Sequence, residues 1–246
     1  RLWWLPTGSF TRLPLHASAL TDEFIHSYTA TLGSVLDGNA KQSTGMAYKV
    51  GVVGVTHTGP GKQNSLEGVE QEIKKILSIV KEPHVQCLKG EQATVDAVRL
   101  QLQECSWAHL AYHGSQDLAN PTKSSLSLYG GHLELGTILR MPLSNAQFVF
   151  LAACQTAMGD AGLVNESFHL GGGFIAAGFR GAIGTMWSIN DTDGPLVAET
   201  VYTHLFGCGQ EPRASGAAEA LQLAVNELKK RKVPYERWIP FIHMGV

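Results

Sequence analysis

The stretch QFVFLAAC, residues 147–154, is the most hydrophobic strand candidate in the chain. A run this short, apolar throughout and without polar alternation, reads as a strand covered on both faces. Similar short runs lie on either side of it: KVGVVGVTH (49–57), HVQCL (84–88), AHLAYH (108–113) and GAIGTMWSI (181–189). Helical patterns separate them. LEGVEQEIKKILSIV (66–80) puts Leu66, Val69, Ile73, Ile76, Leu77 and Val80 on one face and stops before Pro83. TVDAVRLQLQEC (94–105) opens on Thr94, a good N-cap residue. FHLGGGFIAAGF (168–179), GPLVAETVYTHLF (194–206) and SGAAEALQLAVNELKKR (215–231) are further helices. SSLSLYGGHLEL (124–135) alternates around Gly-Gly and reads as a hairpin.

Strands alternating with helices predict an α/β fold: a mostly parallel sheet with right-handed crossovers and helices on both faces. The tail VPYERWIPFIHMGV is expected to return as a strand. The first 48 residues fit less well. LWWLPTGSFTRLPLHAS reads as short antiparallel strands around Pro-Thr-Gly, leading into a lid or edge layer. The expectation is one domain over 1–246, with a small N-terminal β segment (1–48) on an α/β core (49–246).

The 246 residues are 44% hydrophobic and 16% charged, with 27 glycines, which excludes a disordered chain. Lys and Arg number 19 against 21 Asp and Glu, so the charge of −2 argues against a direct nucleic-acid partner. Cys87, Cys105, Cys154 and Cys208 are widely spaced with no CxxC pair, as expected of a reduced, cytoplasmic protein. No signal peptide and no run of about 18 apolar residues is present, so no membrane partner is expected. The chain begins at Arg1 rather than Met and reads as part of a longer protein.

In a parallel α/β sheet, ligands bind beyond the carboxyl ends of the strands. The strand at 108–113 ends on His113, followed by Gly114-Ser115; the strand at 147–154 ends on Cys154. If these strands are neighbours, an imidazole and a thiol meet at one sheet edge. That pair makes a cysteine nucleophile: the thiolate attacks and the imidazole handles protons. The N–H groups of Gly114 and Cys154 are then placed to form an oxyanion hole. Taken singly, each residue has a blander reading, Cys154 as a small buried hydrophobe and His113 as a structural histidine.

Other chemistry fits less well. His109 and His113 have the four-residue spacing of helical zinc ligands, but the segment reads as a strand and carries no intervening Glu. Gly171-Gly172-Gly173 lies inside a helix, which favours close helix–sheet packing over a phosphate loop. GxSxG is absent. No metal and no cofactor is expected.

Five separated blocks, HLAYHGSQD, SSLSLYGGHLELGTIL, AQFVFLAACQTAMGD, NESFHLGGGFIAAGFRGAIGTMWSINDTD and PYERWIPFIHMG, together resemble the CHAT domain. This caspase-like domain is related to separase and often follows tetratricopeptide repeats. The opening WWLPTGSFTRLPLHAS is similar to a CHAT start, so the resemblance covers essentially the whole chain. It implies a caspase/hemoglobinase fold and a cysteine peptidase in which His113 and Cys154 are catalytic and Gly114 supplies an oxyanion amide. Tyr112 stands where many members have Cys; by strand alternation it faces away from the site.

In such a fold the pocket for the residue before the scissile bond (P1) is built by loops after the first strand and after the strand that follows the nucleophile. Here those are His57 and the stretch from Trp187 to Asp193. Separase-like members hold a P1 Arg with an Asp in the second loop; Asp191 matches best and Asp193 second. A carboxylate there suits a guanidinium. Asp191 also reads as a cap for the helix at 194–206. No Arg ends the first strand, which disfavours caspase-type cleavage after Asp. The resemblance therefore implies an endopeptidase with a protein substrate and a P1 Arg or Lys preference, regulated by repeats or a partner protein. The alternative is a catalytically silent, caspase-like interaction module.

Overall fold

The structure, a computed structural model, describes residues 1–18, 23–40, 48–59, 67–115, 117, 120–153, 166–187, 189–207 and 211–246. In chain order the strands and helices are β1 (Leu2–Trp4), β2 (His26–Tyr28), α1 (Leu32–Ala40), β3 (Val50–Gly54), α2 (Glu67–Ile79), β4 (Val85–Lys89), α3 (Val95–Glu104) and β5 (Trp107–Ser115). Then follow β6 (Ser125–Leu128), β7 (Gly131–Glu134), α4 (Leu135–Ile138), β8 (Phe148–Ala153), α5 (Glu166–Ala176), β9 (Gly181–Thr185), α6 (Asp193–Phe206), α7 (Ala217–Lys230), α8 (Tyr235–Trp238) and β10 (Phe241–Gly245).

The predicted apolar runs form the middle of one sheet, ordered β1-β2-β10-β9-β8-β5-β3-β4. Every pairing along it is parallel except β10 with β9. Period-two alternation sorts the side chains into two cores. Val50, Val52, Trp107, Ala111, Phe148, Phe150 and Ala152 pack with Val69, Ile73 and Ile76 of α2, Val197 and Val201 of α6 and Leu221 and Leu228 of α7. Val53, Ala108, Leu110, Tyr112, Val149 and Leu151 face Val98 and Leu102 of α3, Ile138 of α4 and Leu170 and Phe174 of α5. The fold is thus three layers, as the continuous apolar strands require.

Local signals hold in detail. The Thr94 hydroxyl accepts the Ala97 N–H at 3.3 Å and caps α3. β6 and β7 pair antiparallel around Tyr129-Gly130, with Gly130 at φ +75°, and the hairpin docks on the end of β5. Gly171 packs against the Met244 side chain of β10 and Gly173 against Leu135 of α4, so these two glycines let α5 approach the sheet and a neighbouring helix closely.

The N-terminal segment corrects one expectation. Among the described residues no antiparallel pair forms around Pro-Thr-Gly, where Gly8–Arg12 and Leu15–Ala17 are short 3-10 turns; β1 instead pairs in parallel with β2, Leu2 opposite His26, and the two form an edge of the main sheet through β10. Parallel strands need a crossover, supplied by the segment between them. The tail differs too: Tyr235–Trp238 turns as α8 before β10 begins, and β10 runs antiparallel to β9.

This edge buries histidines in neutral surroundings. The His16 ring bonds the Tyr28 hydroxyl at 2.8 Å and the Ile239 carbonyl at 2.9 Å, and burial pulls its pKa down to about 4. His243 is also held well below the usual histidine value, by burial and then by the Arg1 charge. A histidine lowered in the folded state binds fewer protons than in the unfolded chain, so its contribution is full above about pH 6.5 and is lost as pH falls. Thermal melts are expected to show stability declining from pH 6.5 toward pH 4. His16 alone accounts for up to about 3 kcal/mol of that loss, and His16→Gln flattens the profile.

Candidate active site

The site expected from sequence lies at the carboxyl edge of β5 and β8. The two strands are neighbours and parallel, in register from Trp107 opposite Phe148 to Tyr112 opposite Ala153. Beyond Tyr112, β5 pairs with the hairpin: His113 with Ser127, Gly114 with Leu126, Ser115 with Ser125. Ala153 is the last described residue of β8; Cys154 lies outside the described residues. Tyr112 is buried on the α3/α5 face, opposite Ala111, in keeping with the expected alternation.

The cysteines the structure describes are poor nucleophiles. Cys105 is buried and burial pushes its thiol up to about 11, so it is almost wholly protonated at neutral pH. Cys87, half-buried, is likewise raised by burial.

His57 sits just beyond β3. Its Nδ1 is 3.0 Å from the Thr56 hydroxyl and its ring lies edge-on to Tyr129 at the hairpin tip, 5.5 Å between centroids. It therefore belongs to the β3 side of the edge. Trp187, Asp191 and Asp193 lie on the other side, in the loop between β9 and α6, and their environments differ. Trp187 donates its indole N–H to the Glu236 carbonyl at 3.2 Å. Asp193 begins α6, is 3% exposed, and is gripped side-on by Arg237: Nε to Oδ2 at 2.8 Å and Nη2 to Oδ1 at 2.7 Å.

Asp191 is half-buried, and among the described residues its carboxylate has no hydrogen-bond or ion-pair partner. It does not cap α6: Thr192 occupies the N-cap position, and no side chain makes the cap bond. Asp191 instead rests against the start of α2, where a Cβ on Gly68 would come within 2.7 Å of its carbonyl oxygen. Glycine is needed for that approach because the obstacle is backbone. Gly68→Ala is expected to force loop and helix apart, costing about 1–3 kcal/mol in denaturant titration.

Below this loop lies a pair the sequence reading did not single out. Glu72 and His109 are both 0% exposed, with Nε2 3.3 Å from Oε1. The His109 ring stacks on Phe150 at 4.9 Å and meets the edge of Tyr202 at 5.6 Å. Burial and then the Glu72 charge hold the Tyr202 phenol well above its usual pKa. His109 is thus a core residue. Glu72 lies three residues after Val69 and four before Ile76, inside the apolar stripe of α2, and that position was the available signal.

Among the described residues there is no group of three or more His, Cys, Asp or Glu able to hold a metal ion, and no helix long and apolar enough to cross a membrane. The most telling residue missed from sequence is Arg237, which a charge beside a tail tryptophan gave no reason to connect with Asp193.

The fold is shared with known proteins. Separase from Saccharomyces cerevisiae, in complex with securin, superposes with a TM-score of 0.67 at 11% identity, covering 99% of this chain and 15% of that one. The Arg-specific cysteine proteinase gingipain R matches at 0.59 and 12% identity, over 89% of this chain and 53% of its own. The complex of the RgpB pro- and mature domains from Porphyromonas gingivalis gives 0.59 and 12%, over 89% and 54%. This chain therefore spans about a seventh of the separase chain and about half of the gingipain chains. No curated protein matches the sequence. The CHAT domain model matches residues 1–246, and with the caspase-like sheet of separase and gingipain beneath it, the chain belongs to the CHAT domain family.

Proposed function

We propose that the chain is a cysteine endopeptidase working through His113 and Cys154. The observation that carries this reading is the register of β5 and β8, two neighbouring parallel strands with Tyr112 opposite Ala153; in sequence, His113 and Cys154 follow these two residues. The family and the fold likeness support the same chemistry.

In this reading the Cys154 thiolate attacks the scissile carbonyl carbon. The N–H groups of Gly114 and Cys154 stabilise the oxyanion, an effect worth about 3–4 kcal/mol per donor in other acyl-transfer sites. The tetrahedral adduct collapses to a thioester as His113 protonates the departing amine. His113 then takes a proton from water, which attacks the thioester and releases the acid and the Cys154 sulfur.

Asp191 receives a P1 Arg or Lys, supported by its carboxylate having no partner among the described residues and by the Arg-specific proteinase among the structural neighbours. Asp193 is a weaker choice, since Arg237 already occupies both its oxygens. Trp187 and His57 border the substrate cleft on its two sides. The securin complex of separase supports a protein partner or substrate, and a cytoplasmic setting with regulation by repeats or a partner fits the reduced cysteines.

The test is a lysate digested with the wild-type chain or with Cys154→Ala, comparing new N-termini by mass spectrometry. New termini after Arg or Lys with the wild type alone are expected. No new termini in either sample overturns the peptidase reading in favour of an interaction module.

A further inference from the structure

We infer that Arg237 is a positioning residue for substrate specificity, fixing the β9–α6 loop so that the Asp191 carboxylate is presented in one place. This rests on the reading of that loop as the P1-binding wall.

The loop is stitched to the segment 236–240 along its length. At its start, the Met186 N–H donates to the Pro240 carbonyl at 2.8 Å and the Trp187 indole to the Glu236 carbonyl at 3.2 Å. At its end, Arg237 grips Asp193 with two bonds and donates a third, from Nη2, to the Thr192 hydroxyl at 3.1 Å. That hydroxyl donates in turn to Asn190 Oδ1 at 2.7 Å, which also accepts the Thr192 N–H at 3.1 Å. The residues on both sides of Asp191 are therefore tied, directly or through one relay, to a single guanidinium.

The clamp has a fixed base. Trp238, next to Arg237, lies under the Lys229 ammonium of α7 at 4.5 Å, and the Ile239 carbonyl accepts a bond from His16 at 2.9 Å. α8 is thus held to α7 and the N-terminal edge on one side and holds the loop on the other. Only arginine does this: a planar fork satisfies both carboxylate oxygens and has a donor left for Thr192, whereas an ammonium is a point charge with no fixed fork.

The experiment compares wild type, Arg237→Lys and Arg237→Met for cleavage of fluorogenic peptides with P1 Arg, together with hydrogen exchange of the amides at 186–193 and thermal melting. Both variants are expected to raise KM about tenfold with a much smaller change in kcat, and to speed exchange in the loop while α7 and β10 stay protected. Lysine is expected to behave more like methionine than like arginine. Unchanged KM and unchanged loop exchange overturn the inference, as does exchange that rises equally across α7 and β10, which marks a merely structural role. A wild type that cleaves no P1 Arg peptide refutes the peptidase reading instead, and loop exchange then still decides whether Arg237 orders the loop.

Discussion

Cys154→Ala is expected to lower turnover of any cleavable peptide by at least about 10⁴-fold while leaving the melting temperature close to wild type. The size of the effect follows from chemistry: without the sulfur no thioester forms, and the remaining oxyanion donors and binding contacts accelerate only direct attack by water. His113→Ala is expected to fall in the same range, because a thiol without its base is mostly protonated and the departing amine has no proton donor. The double variant is expected to lose little more than either single one, as for groups acting as a unit. Steady-state kinetics with active-site titration check all three. Cys105→Ala serves as contrast: its thiol, held up near 11 by burial, is a packing group, so its loss is read in stability and not in turnover. Activity surviving in Cys154→Ala would move the nucleophile elsewhere.

Asp191→Asn is expected to cut kcat/KM for P1 Arg substrates by about 10²–10³-fold and to leave slow cleavage after neutral residues unaffected. The substitution is isosteric, so the pocket shape persists and only the charge goes. Removing one partner of a desolvated ion pair costs about 3–5 kcal/mol, because the guanidinium is left buried and uncompensated. P1-varied peptide libraries read this directly. An unchanged P1 profile would dismiss Asp191 as the specificity carboxylate. Asp193 does not offer itself as a substitute, since its two oxygens already serve Arg237.

Much of this architecture was legible in short-range patterns. Thr94 caps its helix, the Tyr129-Gly130 turn makes its hairpin, and Val69, Ile73 and Ile76 face the core. Such features depend on residues within one turn of each other. The misses are of another kind. Residues 2–18 looked like a local antiparallel pair, yet β1 runs parallel to β2 at 26–28, and the two are completed by β10 from the far end of the chain. Three-residue strands carry too little periodicity to state a direction. α8 was read as strand because its four residues are set among the aromatic and apolar residues of the tail.

The candidate site divides the same way. Apolar runs ending on His113 and Cys154 are properties of the chain; with the alternation of strands and helices they named the fold class and made those two residues candidates. That β5 and β8 are neighbours, in register up to Tyr112 and Ala153, is decided by the sheet, because any parallel order satisfies the same hydrophobic pattern. The distinction between Asp191 and Asp193, two residues apart and chemically identical, is likewise tertiary. It rests on Arg237, a residue 44 positions beyond Asp193, which pairs with Asp193, while Asp191 has no partner among the described residues. Period and composition are local and survive in a linear string; which charges meet depends on how distant elements pack.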